Sequence, residues 1–259
     1  MRPHKSSYWL FPNIEDWAAF VIRAALVCQL ILETINGDLA DTHLISVDEK
    51  TGIQALQRLV PIAPMKPGKP RRLESEYARN GTTCLMAAYD VGQSNILHHW
   101  TNPTRTEEDF LFFIQQTVSK LPAQDKVIFL ADQLNTHMSE SLVVWVAGQI
   151  GFDQDLGKKG CKGILKSMKT RMEFLENPDR RIRFVFTPKH CSWLNPVENW
   201  FSKLQAHIIK YGNFSSVKEL ENKIDRYVRF YNKCLVKPLK WKFKGFVKAR
   251  KLYCLKLRA

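Results

Sequence analysis

No two of the six cysteines stand in a Cys-x-x-Cys pair. That spacing argues against a zinc ribbon and against a disulfide framework, and it fits a reduced, intracellular protein. His190 and Cys191 are adjacent, but such a pair alone is weak ground for zinc. A long apolar run is missing too. The nearest to one, WAAFVIRAALVCQLIL over 17–32, is short for a membrane span and is broken by Arg23 and Gln29. The N-terminus has no basic start followed by a clean apolar stretch and a small-residue cleavage site, so no secretory leader is expected. Residues 17–32 read instead as an amphipathic helix packed on the domain, with no membrane partner. There is no internal repeat and no low-complexity tract.

Acidic residues are in short supply: 25 Asp and Glu against 39 Lys and Arg, a net charge of +14 and a pI of about 9.6. This says nothing about fold. It favours a polyanionic partner, most often nucleic acid, with an anionic membrane surface as the competing reading. From Lys237 onward the tail carries nine Lys or Arg and no acid.

What is present is enough apolar residue, 45% of 259, for one substantial core. Residues 1–13 read as a basic, extended lead-in. A helix over about 14–35 stops at Asn36-Gly37. HLISVD (43–48) is a strand that ends in an aspartate. TTCLMAAYD (82–90) and NILHHW (95–100) flank a Val-Gly-Gln-Ser turn and predict a hairpin. Thr106, with Asp109 three residues on, caps a helix running to about Leu121. KVIFLAD (126–132) is apolar throughout, as in a strand buried on both faces, and it too ends in an aspartate. A helix in MSESLVVWVAGQI follows. Residues 151–181 are basic and glycine-rich, with a helical piece near KSMKTRMEFLE. RFVFTP (183–188) is a further strand. Helices then begin near 195 and 216. Strands alternating with helices after an opening meander predict an α/β protein, a mixed five-stranded sheet flanked by helices.

Three carboxylates fall at informative places. Asp48 and Asp132 close two apolar strands. If those strands pair in parallel, the acids lie one strand spacing (about 4.8 Å) or two apart. Glu198 follows a third strand and can lean over the same edge. Glu198 also has a local reading: Asn195 is a good N-cap, Pro196 suits the first helical position, and Glu198 stands where a carboxylate reaches back to the cap N–H. Val197, Trp200, Phe201, Leu204 and Ile208 form the apolar stripe of that helix. Three acids on one rim repel one another unless a counter-charge is present. Hard oxygen donors suit Mg²⁺ or Mn²⁺, and two such ions about 4 Å apart can activate a water or a 3′-hydroxyl at a phosphodiester. Glu49 points to the opposite face from Asp48 and is not expected to be a ligand. Asn135 and His137 lie after Asp132, to touch phosphate or to cap the next helix. Trp193 is placed to stack on a base or to fill the core.

The motifs SVDEKTGIQALQR, LADQLNTH and FTPKHCSWLNPVENWF, in this order, resemble those of DDE transposases of the bacterial insertion-sequence branch of the Tc/mariner superfamily (insertion sequence 630 type). The likeness runs from about Pro3 to the C-terminal helix. It implies an RNase H-like catalytic domain at 41–235, with 1–40 as linker and first helix, 151–181 as a basic insertion and 236–259 as a basic tail. It places the catalytic and metal-binding acids on Asp48, Asp132 and Glu198, with two Mg²⁺ ions and Mn²⁺ as a substitute. It implies cleavage of transposon terminal repeats and strand transfer into target DNA at a TA dinucleotide, by a homodimer in the bacterial cytoplasm at the nucleoid. Lys158, Lys159, Lys162, Lys189, His190 and Trp193, with Asn135 and His137, are the candidate DNA contacts. The family's helix-turn-helix recognition domain is not in this sequence, and RPHKSSYW reads as its tail, so a separately encoded domain or its loss is expected. A non-enzymatic DNA-binding remnant is the alternative function. An RNase H-like nuclease acting on RNA or hybrids is a third reading. The 65 residues between Asp132 and Glu198 exceed the family's usual spacing, and 151–181 accounts for most of the excess.

Overall fold

The computed structural model describes residues 14, 16–60, 63–70, 72 and 76–245. The expected lead-in at 1–13 and the tail beyond 245 lie outside them. Five strands form one sheet in the order β3-β2-β1-β4-β5. They are β1 (Thr42–Arg58), β2 (Tyr77–Asp90), β3 (Asn95–Asn102), β4 (Lys126–Ala131) and β5 (Ile182–Phe186). β1 pairs antiparallel with β2, and β2 antiparallel with β3, through the turn at 91–94. β4 pairs in parallel with both β1 and β5. The mixed five-stranded α/β sheet expected from the sequence is therefore what the chain forms.

Alternation along the strands divides the core. Leu44, Leu130 and Val185 face one side, against α1 (Trp17–Asn36), α5 (Pro196–Leu204) and α6 (Val217–Phe230). Ile45, Val47, Phe129 and Phe184 face the other, against α2 (Glu107–Val118), α3 (Glu140–Gln149) and α4 (Met168–Leu175). β4 is covered on both faces, which is why its sequence is apolar without alternation. Full burial of one such side chain contributes about 1.5–3 kcal/mol.

Local signals set several element ends. Asp16 caps α1, and Gly37 closes it at φ 78°, a left-handed conformation that suits glycine. Thr106 and Asp109 form the expected capping box, although α2 ends at Val118 rather than near Leu121. α1 is the one helix among the described residues long and apolar enough to cross a membrane. Ala24, Val27, Cys28 and Ile31 on its inner face are buried in the core, and Arg23 pairs with Glu176 beyond α4. The segment 151–181 includes a bridge between Lys158 and Lys162 as well as α4. After α6 the chain turns back. Leu239 N–H donates to Ser94 Oγ (2.9 Å), and Trp241 and Phe243 pack on the α1 side of the core.

One expectation needs correction. β1 does not end at Asp48 but runs on to Arg58, paired with β2 alone. What ends near Asp48 is the parallel ladder with β4, at Ser46 opposite Leu130.

Candidate active site

The β1–β4 ladder pairs each residue with the one 84 positions later, from Thr42↔Lys126 to Ser46↔Leu130. Carried two residues further, the same register sets Asp48 against Asp132. Asp48 belongs to the row that faces α5, two residues past Ser46, and Asp132 stands just past the end of β4. Glu198 rises from the first turn of α5 above that row. The three carboxylates thus gather where the parallel ladder opens, and their charges act on one another. Burial first, then the charges of Asp132 and Glu198, push the Asp48 carboxyl up to about 7; the Glu49 N–H bond and His137 oppose this. Burial raises Glu198 as well, with Asp132 adding to the rise and Lys50 working against it.

Asp132 behaves differently. Burial disfavours its charge, but a hydrogen bond and positive charge from His137, the Leu134 N–H and Arg105 outweigh burial and hold it below the usual range. Its Oδ1 takes both protein donors, His137 Nδ1 at 2.7 Å and Leu134 N at 3.1 Å. Among the described residues no hydrogen bond falls on Oδ2. His137 is wholly buried, and its Nε2 meets Glu49 Oε1 at 3.1 Å. Burial alone would strip the imidazole of its extra proton, yet the two carboxylates raise it to about 10.

α5 is held on the sheet from a distance in sequence. Asn195 donates from Nδ2 to Val47 O (2.9 Å) and Asp48 Oδ2 (3.3 Å), and its Oδ1 accepts from Ser46 Oγ. Ser46 Oγ in turn accepts from Val197 N–H at 2.8 Å. A strand serine therefore caps the helix. The capping role read for Glu198 is not realised: the Asn195 N–H is taken by Ser192 O, and the Glu198 carboxylate makes no hydrogen bond among the described residues. It is left free above Asp48 and Asp132.

The other sequence-chosen residues divide. Lys189 and His190, in the turn after β5, are exposed and line a groove that Asp132 bounds. Trp193 is half exposed, stands edge-on to Phe243 at 5.0 Å, and shares a second groove with Glu198, Asn199 and Lys240. Lys158, Lys159 and Lys162 are exposed. Lys162 pairs with Asp155 (3.1 Å), and Lys159 lies 4.0 Å from Glu107, two residues from the Arg105 that acts on Asp132. Two readings are corrected. His137 has no surface to offer a phosphate, because both ring nitrogens are engaged inside the core. Asn135 does not cap α3: Ser139 does, while Asn135 is exposed in a 3₁₀ turn. Sequence reasoning passed over Lys50, Arg105 and Ser46, and it gave Glu49 no function. Its placing of Glu49 on the face away from Asp48 agrees with the buried Glu49–His137 contact.

The donor set fits a hard divalent cation. It is all oxygen, two of its carboxylates are pushed toward neutrality by their neighbours and burial, and among the described residues no donor bonds Asp132 Oδ2 or the Glu198 carboxylate. Among the described residues no three His, Cys, Asp or Glu side chains close on one point.

A mixed five-stranded sheet between helices, with carboxylates at the mouth of its parallel ladder, has the RNase H-like architecture. The chain belongs to the DDE superfamily endonucleases, whose sequence model matches residues 43–221. Among solved structures the chain is similar to the Mos1 mariner paired end complex with Mn, at 16% identity and TM-score 0.54, covering 88% of this chain and 61% of that one. It is similar to the Mos1 transposase paired-end complex with left transposon end, at 15% identity and TM-score 0.52, over 87% and 58% of the two chains. The Mos1 strand transfer complex matches at 14% identity and TM-score 0.50, over 99% and 64%. The chain thus spans about three-fifths of the Mos1 chains, and at this identity the likeness is one of fold. A comparison with curated proteins gives no match.

Proposed function

We propose that this chain is the catalytic domain of a DDE transposase, of the insertion sequence 630 type within Tc/mariner, that cuts transposon-end DNA and transfers the ends into target DNA. The observation that carries the reading is that Asp48 and Asp132, each two residues past the end of the β1–β4 ladder, and Glu198, whose carboxylate makes no hydrogen bond among the described residues, act on one another's charge. In this reading the three are the catalytic acids and hold two Mg²⁺ ions, which Mn²⁺ replaces; the similar Mos1 complex was solved with Mn. Bound divalent ions would lower the barrier at a phosphodiester by activating the attacking oxygen and stabilising the leaving one. Asp132 offers Oδ2 while His137 and Leu134 hold Oδ1. Asp48 is oriented by Asn195 and the Glu49 N–H. Lys189, His190 and Trp193 line the grooves beside the site, where a DNA strand would lie, and 151–181 adds positive charge at its margin. The wider reading includes a homodimer and action at the bacterial nucleoid. Residues 41–235 form the catalytic unit, preceded by the α1 segment and followed by the basic tail.

The test is strand cleavage on terminal-repeat DNA with Mg²⁺ or Mn²⁺. Asp48→Ala, Asp132→Ala and Glu198→Ala should each abolish cleavage while DNA binding survives. Normal cleavage by Glu198→Ala would remove Glu198 from the site. DNA binding without any metal-dependent cleavage by the wild type would refute the enzymatic reading.

A further inference from the structure

We propose that Glu49 is a positioning residue, which acts through His137 to fix the carboxylate of Asp132 for its cation. This rests on the reading of Asp132 as a metal ligand. Asp132 Oδ1, the His137 ring and Glu49 Oε1 form one unbroken chain, with contacts of 2.7 and 3.1 Å. Carboxylates only accept, so each ring nitrogen donates and the ring cannot flip without losing a bond. The side chains of His137 and Glu49 are 0% and 3% exposed, and the Phe110 ring lies 4.3 Å from the imidazole. Rotation of Asp132 is therefore opposed by a partner that is itself pinned.

Glu49 is an expensive residue to place there. A carboxylate buried away from water is costly unless it is paired, and its partner is His137. The pairing spans 88 positions in sequence, so it is no product of local folding. β1 carries Asp48 toward α5 and Glu49 toward the opposite face. One strand thereby sets both aspartates, Asp48 directly and Asp132 through the imidazole. Hydrogen-bond partners behind metal ligands typically change metal affinity 10–100-fold when removed.

The experiment measures Mn²⁺ binding to the full chain by the loss of the free-ion electron paramagnetic resonance signal. Thermal melts verify that each variant is folded. The relevant site is the one that Asp132→Ala loses. Glu49→Gln, which keeps size and removes charge, should weaken that site about 10-fold or more. Glu49→Asp, which keeps charge and shortens the reach, should weaken it comparably and serves if the Gln variant fails to fold. In a His137→Asn background, where the amide still donates to Asp132 but no longer reaches Glu49, adding Glu49→Gln should change affinity less than about 2-fold. A Glu49 that served stability alone would lower the melting temperature and leave Mn²⁺ affinity unmoved in both single variants, which overturns the inference. Losses that multiply independently in the double variant overturn it as well. A wild type with no Mn²⁺ site sensitive to Asp132→Ala defeats the metal reading itself, a different failure.

Discussion

Asp48 on β1 and Asp132 just past β4 each lie two residues beyond the end of the parallel ladder, but their surroundings differ in kind. Asp48 is nearly buried, and the groups bonded to it, the Asn195 amide and the Glu49 N–H, are neutral. Asp132 is more open and is bonded by the His137 imidazole, which carries charge. The sequence led us to expect one set of acids repelling one another until a cation arrives. The structure shows that only part of the set is so placed. Asp132 brings its own counter-charge, while Asp48 and Glu198 bear the repulsion. A charged side chain buried in the core thus separates two aspartates that look alike in the sequence.

The sharpest way to break this contrast is to remove the counter-charge. His137→Ala leaves Glu49 buried without its partner and should cost about 3–5 kcal/mol. In a chain of this size each kcal/mol is roughly 2–4 °C of melting temperature. A loss below about 1 kcal/mol in thermal or urea unfolding would mean the imidazole carries no charge.

Acidity tests the contrast next. Burial and its acidic neighbours push the Asp48 carboxyl up to about 7 in the folded chain, far above an ordinary aspartate, so over the acid range the native state keeps a proton that the unfolded state has released. The stability this contributes is complete below about pH 4 and is lost as pH rises through about 7. Asp48→Asn should therefore gain on wild type with rising pH, by on the order of 2–4 kcal/mol between pH 4 and 8 without metal. Asp132 is shifted the other way, so its contribution is present above its unfolded value and lost as pH falls. Asp132→Asn should lose stability at neutral pH. If both variants moved the melting temperature in the same direction at pH 8, the distinction between the two sites would collapse.

The neutral side of the comparison is the Ser46–Asn195 link. Asn195→Ala strips Val47 O and Ser46 of buried partners and should cost about 1–3 kcal/mol. Ser46→Ala removes the cap on Val197 N–H, about 1 kcal/mol. Both should impair cleavage more than stability, since they release α5 and Glu198 from the Asp48 strand. A proportionate loss of both would make the link purely structural. The smallest effects belong to the surface. Replacing Lys158, Lys159 or Lys162 by Ala should change stability by less than about 0.5 kcal/mol. Each that meets a phosphate should reduce the salt slope of DNA binding by about 1. Three unchanged slopes would place the DNA elsewhere.

Sequence by itself determined much of the frame. Apolar runs marked all five strands, because burial and the pleat impose their period locally. The Gly37 stop and the Thr106–Asp109 box were legible for the same reason: each is settled within four residues. Asp48, Asp132 and Glu198 stood out through their places after strands and through motif resemblance. Tertiary structure alone decided how they are held. Asn195 looked like an ordinary cap, yet its side chain is bound to β1 147–149 positions away. Glu198 looked like part of a capping box and makes no such bond among the described residues, since backbone and strand groups already satisfy the helix start. His137 looked like a loop residue available to DNA and lies in the core between two acids. Each reversal has one physical cause. A hydrogen-bonding side chain takes whichever partner the folded chain brings within reach, and partners such as Ser46 and Asn195, or Glu49 and His137, are too far apart in sequence to leave a periodic trace between them.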